Sequence, residues 1–176
     1  MANREALREL QARLATRLQA AKTEGMSVSW LAVIAGEHRL LFPLAQAGEI
    51  VPLTHAQPVP YTVGWFRGIV NIRGGLFGVV NLAGFLAGEL GLPAPVAPSP
   101  EPSVVTFNAA LDLNCALQVD ALSGLRGADA FSQSRGPAEG APDYFGNVLV
   151  DAEGDDWQEI NLRVLSQSPQ FLSISA

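Results

Sequence analysis

Gly64-Trp-Phe-Arg-Gly-Ile-Val-Asn-Ile-Arg-Gly-Gly-Leu-Phe-Gly-Val-Val-Asn-Leu82 decides how the rest of the chain is read. Two apolar runs, Gly68 to Arg73 and Leu76 to Val80, flank Gly74 and Gly75. Paired glycines supply the positive φ angles of a tight turn, so the stretch predicts a β-hairpin with Arg73 closing its first strand. Asn81 is then placed to cap a short helix whose Leu82, Phe85, Leu86 and Leu90 lie near one face. The stretch has neither a Gly-Lys-Ser/Thr run nor Rossmann spacing. Its glycines therefore read as turn and close-packing residues rather than as a phosphate cradle.

On either side the chain keeps this short-strand character. Val28 to Ile34 and Arg39 to Phe42 predict two strands joined by a Gly36-Glu37-His38 turn, and Glu49 to Val51 predicts a further extended piece. Pro58 and Pro60 bracket a connection that cannot be central strand. Residues 93–102 hold five prolines and predict an exposed, extended connector. Val104 to Phe107 and Leu113 to Val119 resume the strands, and the polar, Gly/Pro-rich residues 127–143 read as a flexible loop. Tyr144 to Val150 and Trp157 to Ile160 predict a hairpin around Ala152-Glu-Gly154, with Asn161 capping a terminal helix that ends before Pro169. The expected fold is mainly β, about five strands in each half, either paired small barrels or one bent double sheet. Residues 1–24 stand apart from this 25–176 domain as an amphipathic helix, with Asn3 as N-cap, Leu7, Leu10, Leu14, Leu18 and Ala21 on one face, and Gly25 as its stop.

Composition narrows the chemistry. Of 176 residues 48% are hydrophobic and only 16% charged, against roughly 25% charged in an ordinary soluble domain, which leaves apolar surface for binding. The net charge is -6, which argues against nucleic acid as a partner. Residues 1–24 carry five basic and three acidic side chains, net +2; the remainder carry six and fourteen, net -8. The helix is thus opposite in sign to the body, suited either to docking on it or to meeting an acidic partner. One cysteine, Cys115, and two histidines, His38 and His55, signal neither a zinc site nor a nucleophilic triad. No secretory or membrane-spanning run is predicted, since glycines, Asn81 and Glu89 interrupt the most apolar stretch, so the expectation is a cytoplasmic protein.

The hairpin and its surroundings carry a resemblance. Phe42-Pro-Leu-Ala-Gln-Ala-Gly-Glu-Ile50, Pro58-Val-Pro60, the Gly-x-x-Asn-x-Arg-Gly core at Gly68 to Gly74, and Leu117 to Leu125 resemble the CheW-like coupling proteins over residues 28–172. The N-terminal helix and the ending, Trp157 to Leu162 and Pro169 to Ile174, look most like the branch that serves type IV pilus (twitching) chemosensory systems. Gly78 stands where the family often has proline, and Asn81 where it often has aspartate. The resemblance implies two intertwined five-stranded, SH3-like β-barrels, no enzymatic activity and no cofactor. It also implies a role bridging the cytoplasmic tip of a chemoreceptor to the SH3-like regulatory domain of a CheA-type histidine kinase, at membrane-associated receptor arrays but without membrane insertion.

The candidate partner-binding residues are Ala47, Glu49, Ile50, Arg67, Gly68, Asn71, Arg73, Gly74 and Leu76. By resemblance, Ala47 and Leu76 line the receptor groove, and Glu49 and Ile50 contribute to kinase or receptor contacts. From its chemistry, Arg73 offers a donor fork either to a partner's carboxylate or to an internal acid such as Glu49. Ile50 fits a core position equally well. Arg67 with Trp65 and Phe66 forms an interface-type aromatic and arginine group, of which at least one ring is expected in the core. His38 and His55 read as solvated loop residues and Cys115 as a buried hydrophobe. Asp151, Glu153, Asp155 and Asp156 read as a solvated turn rather than a calcium loop. Two other function classes stay open from the residues: a small-molecule-binding β-barrel, which requires an enclosed apolar pocket, and an enzyme, for which no nucleophile or base is nominated. Flagellar rather than pilus output is the alternative within the first class.

Overall fold

The computed structural model describes residues 2–23, 29–95 and 99–176; Val28 as a strand start, Gly25 as the helix stop, the Leu18 and Ala21 side chains, and residues 96–98 of the proline connector lie outside the described residues. Helix α1 runs Ala2–Thr23, and Asn3 lies within it instead of capping it. Strands β1 (Ser29–Ala35) and β2 (His38–Pro43) form a hairpin, its turn taken by Gly36, at φ 60°, and Glu37. His38 therefore opens β2 and is half-buried, where a turn residue was expected. Strands β3 (Ala47–Pro52), β4 (Phe66–Ile72) and β5 (Gly75–Asn81) follow, then α2 (Leu82–Leu90). After the proline connector come β6 (Ser103–Phe107), β7 (Cys115–Val119), β8 (Ala121–Gly127), β9 (Phe131–Arg135), β10 (Phe145–Asp151) and β11 (Asp156–Ile160). Helices α3 (Leu162–Gln167) and α4 (Pro169–Leu172) end the chain.

The segment 127–143, expected to be loop throughout, contains β9. Its Ser-Gln-Ser-Arg side chains are exposed, so no apolar alternation marks it, and it is held by pairing to β10 and by an Arg135–Asp156 ion pair. Two of the three N-cap expectations hold, those of Asn81 and Asn161. Asn81 Oδ1 accepts from Gly84 N at 3.2 Å at the start of α2, and Asn161 Oδ1 accepts from Val164 N at 3.1 Å at the start of α3.

The strands form two sheets, of order β8-β1-β2-β11-β10-β9 and β3-β6-β7-β5-β4. These are not the two sequence halves. The second sheet is one contiguous stretch, residues 47–119, whereas the first takes two strands from before it and four from after it, joined by the β1–β8 pairing and the parallel β2–β11 pairing. That interleaving explains the near-continuous burial of β1, whose two faces serve different cores. Leu31 and Val33 face a large core shared by both sheets, together with Leu40, Phe42, Val105, Leu117 and Phe85 of α2. Trp30 and Ala32 face a smaller cluster with Leu41, Leu149 and Trp157, where Phe131 of β9 meets Trp30 edge-on. The second sheet has its own outer cluster of Val79, Val104 and Ala116, covered by Leu53, Ala56 and neighbours.

Helix α1 packs against β3 and β8, one edge strand of each sheet. It sends Leu14, 4% exposed, into the shared core, a burial that contributes about 2 kcal/mol. No helix among the described residues is long and apolar enough to cross a membrane.

Candidate partner-binding surfaces

The β4–β5 hairpin carries most of the candidate residues, and its turn sits one residue earlier than expected. Arg73 and Gly74, at φ 50° and 86°, are the turn, and Gly75 already pairs with Ile72. Positive φ at both central positions is the type I′ pattern that suits strand twist. The reason that Arg73 rather than Gly75 takes the strained position lies in the register. Asn71 pairs with Leu76, and its Oδ1 accepts from Gly74 N at 2.9 Å, which closes the turn over Arg73. The arginine is thereby lifted to the tip of the hairpin, 78% exposed.

Across from it stands Glu49. Its strand is irregular between Ala47 and Ile50, and Glu49 N donates to Thr106 Oγ1 at 2.7 Å. Gly48 permits this approach, since a Cβ there would lie 2.2 Å from the same hydroxyl. Glu49 Oε2 faces Arg73 Nε at 3.2 Å as an ion pair without a hydrogen bond, so this shielded oxygen keeps an unfilled acceptor site. The pair borders a mixed polar and apolar recess of about 430 Å³ that also draws on Thr106, Asn108, Asp112 and Asn114.

On β4, Arg67, Ile69 and Asn71 alternate onto one exposed face. Ile69 and the 62% exposed Leu76 form one wall of an apolar groove of about 230 Å³; Phe66 lies inside it, and Phe171, Leu172 and Ile174 form the far wall. Phe77, Leu113 and Asn114 line both this groove and the polar recess, so the two surfaces are contiguous. Sequence reasoning missed Phe77, Asp112 and the C-terminal wall. The signal available was the terminal Phe171-Leu172-Ser173-Ile174 run, apolar at alternate ends of a segment too short to form a core of its own.

Three candidates are placed differently. Ala47, fully buried, and Ile50, 5% exposed, point into the shared core with Leu14. Gly68 is buried at φ 127°, and a Cβ there would stand 2.1 Å from Gln57 O, because the Gln57 backbone exchanges hydrogen bonds with Ile69 along the outer edge of β4. Glu49, Arg67, Asn71, Arg73, Gly74 and Leu76 remain at the surface. Of the aromatic group, Trp65 stacks with Phe171 and meets Phe85 edge-on, and Phe66 packs against the same core.

Two further titratable groups line these surfaces, Asp112 the recess and Cys115 the groove. Burial pushes the Cys115 thiol up to about 12, and burial first, with Glu89 beside it, raises the Tyr144 phenol. Burial lowers His38. Asp151 is held below the usual carboxylate range, first by the Trp157 indole N–H at 2.9 Å and then by the backbone of Asp155. It organises the β10–β11 turn, accepting also from Glu153 N at 2.9 Å, so the acidic cluster with Glu153 and Asp155 is accounted for as turn structure. His55 is exposed.

Two interleaved small sheets over one shared core, with an Arg-Gly hairpin tip facing a glutamate on β3, match a known domain: the CheW-like domain model fits residues 29–168. The chain belongs to the CheW-like family. Among the relatives of this CheW-like chain is Protein PilI of Pseudomonas aeruginosa, 28% identical over 165 residues, which span 93% of this chain and 89% of the relative. The fold is shared with the scaffolding protein TtCheW of Thermoanaerobacter tengcongensis, at a TM-score of 0.59 and 15% identity, over 77% of this chain and 89% of that one.

Proposed function

We propose that this CheW-like protein is a non-enzymatic adaptor with two partners. It takes the cytoplasmic tip of a chemoreceptor in the apolar groove at Leu76. It takes the SH3-like regulatory domain of a CheA-type histidine kinase beside the Arg73–Glu49 pair. The likeness to PilI along nearly the whole chain supports a type IV pilus chemosensory system, with twitching motility as output, over a flagellar one. The observation that carries the reading is the pairing, on one rigid hairpin, of an exposed apolar trough and an exposed cation with its half-satisfied acid.

The chemistry fits each assignment. A shallow apolar trough suits the apolar stripe of a helical hairpin, which buries its leucine-type side chains without needing matched polar groups. The Arg73–Glu49 pair suits a folded domain with edge groups, because the unfilled Glu49 oxygen accepts an N–H while the guanidinium takes a carboxylate or carbonyl. Each contact is modest in size, and affinity in an ordered array rises through multivalency. The two smaller clusters are filled by Trp30, Trp157 and Leu149 in one sheet and Val79, Val104 and Ala116 in the other, which favours an adaptor over a small-molecule binder.

The test is an affinity pull-down from the organism's own cytoplasm with mass-spectrometric identification, comparing wild type with Arg73→Ala and Leu76→Lys. A kinase and a chemoreceptor are expected with wild type, the kinase reduced by the first substitution and the receptor by the second. Recovery of neither, under conditions in which a known coupling protein forms both complexes, rejects the adaptor.

A further inference from the structure

Tyr61 is held in a conformation that its own side chain resists. It follows Pro60 in the connection between β3 and β4, at φ 59°, the left-handed region in which a Cβ crowds the next carbonyl. A turn with proline second and a positive φ third follows the type II pattern, whose third place glycine or asparagine fills without strain. The surroundings hold the turn in place. Thr62 Oγ1 donates to Val59 O at 2.8 Å, Tyr61 O accepts from Ala176 N at 2.9 Å, and Thr62 bridges Ser175. The domain gains almost no packing in return, because Tyr61 is 89% exposed. A large aromatic residue that strains the backbone and buries so little of itself is a contact residue in waiting.

Its position says what it contacts. Val63 N donates to Ile174 O at 2.8 Å beside the Thr62–Ser175 bridge, so the segment that carries Tyr61 is paired with the far wall of the apolar groove. Tyr61 and Leu76 are the two most exposed large hydrophobic side chains among the described residues. Leu76 is on the near wall, and half-exposed Leu172 is on the wall that Tyr61 adjoins. Exposed apolar area is thus gathered around one groove, whose lining includes no charged side chain. We propose that Tyr61 is an aromatic anchor for the receptor's helical hairpin and extends the groove past Ile174. This rests on the groove's assignment to the receptor above. Leu76 and Tyr61 then hold the apolar stripe of the hairpin from opposite walls, with the phenol hydroxyl free to bond a polar group at the edge of that stripe. The turn is already formed in the free protein, so the segment that presents the ring needs no ordering on binding.

The experiment titrates the purified cytoplasmic tip fragment of the receptor recovered with wild type into the full chain by calorimetry, beside thermal melts. The variants are Tyr61→Gly, Tyr61→Phe and Leu76→Lys. Tyr61→Gly relieves the backbone strain, so it is expected to melt at or above wild type while binding the fragment about tenfold more weakly, with kinase binding unchanged. Tyr61→Phe keeps the ring and is expected to bind within about threefold of wild type. Four results overturn the anchor: wild-type binding by Tyr61→Gly, a melt of that variant several degrees below wild type, Tyr61→Phe as weak as Tyr61→Gly, or loss of kinase in place of receptor. In each of these cases weaker fragment binding by Leu76→Lys leaves the groove assignment standing. A fragment whose binding responds to neither Leu76→Lys nor Tyr61→Gly rejects both.

Discussion

Arg73 Nε and Glu49 Oε2, 3.2 Å apart, join the two ends of one sheet: Arg73 is in the turn between β4 and β5, and Glu49 is on β3, the opposite edge of the order β3-β6-β7-β5-β4. Two strands separated by three neighbours meet only because the sheet curls, as strand twist and the β3 irregularity require. The ion pair therefore sits at the closure of a small barrel, and it is exposed there.

Exposure sets the first prediction. A pair this accessible contributes no more than about 1 kcal/mol, so Arg73→Ala should melt within a few degrees of wild type while losing kinase affinity. Arg73→Gly sharpens the test, because an L residue at φ 50° costs about 1 kcal/mol that glycine avoids. That variant should melt slightly higher than wild type and bind kinase no better than Arg73→Ala. If both variants melt far below wild type, Arg73 is structural.

Leu76 is the separating position. Leu76→Lys should leave the melting temperature unchanged, since the side chain is mostly in water already. It should weaken receptor-fragment binding about tenfold, the loss of one apolar contact of 1–2 kcal/mol, with kinase binding intact. A parallel loss of both partners would show that the two surfaces are one.

Gly68→Ala should be the most damaging single methyl in the hairpin. The new Cβ would meet the Gln57 carbonyl at 2.1 Å, backbone that cannot yield without giving up its two hydrogen bonds to Ile69, and φ 127° is closed to alanine. A loss of at least about 2 kcal/mol in denaturant unfolding is expected. Gly78→Ala, which meets only the ring edge of Phe66 at 3.0 Å, should cost less.

Buried Cys115 and half-buried His38 give stability opposite pH dependences. The Cys115 thiol is raised to about 12, so the unfolded chain ionises first. Its contribution to stability is whole below the unfolded value near 9 and is lost as pH climbs from there toward 12. Maleimide should accordingly label Cys115 only at the rate of unfolding. His38 is shifted the other way: the unfolded chain takes up its proton first, so stability is whole above the ordinary histidine value of 6.5 and falls as pH drops below it. His38→Gln should flatten the acid limb of a melting-temperature profile and leave the alkaline limb as it was.

The hairpin and the Asn81 and Asn161 caps were legible in the sequence, because each depends on residues close together in the chain, whereas Asn3 fell inside its helix and the pairing of Arg73 with Glu49 was one of two alternatives. What was not legible depends on long-range geometry. The type I′ turn moved to Arg73-Gly74 because Asn71 caps Gly74, which outweighs the second glycine that the Gly74-Gly75 register would offer. Strand β9 escaped because edge pairing, not side-chain pattern, makes it a strand. Ala47 and Ile50 went into the core because β3 is an edge strand roofed by α1, and nothing local to Gly48-Glu49 says which face the roof will cover.

The nesting of the sheets imposes a timetable on synthesis. Every strand of the sheet that bears Arg73 and Glu49 has been synthesised once residue 119 is made, so the charged recess can assemble before the rest of the domain exists. The other sheet must hold β1 and β2 in waiting until β8 and β11 arrive. The apolar groove is finished last of all, when Phe171 to Ile174 supply its far wall. A nascent chain thus offers its charged face before its greasy one, and presents both together only after the whole domain has closed.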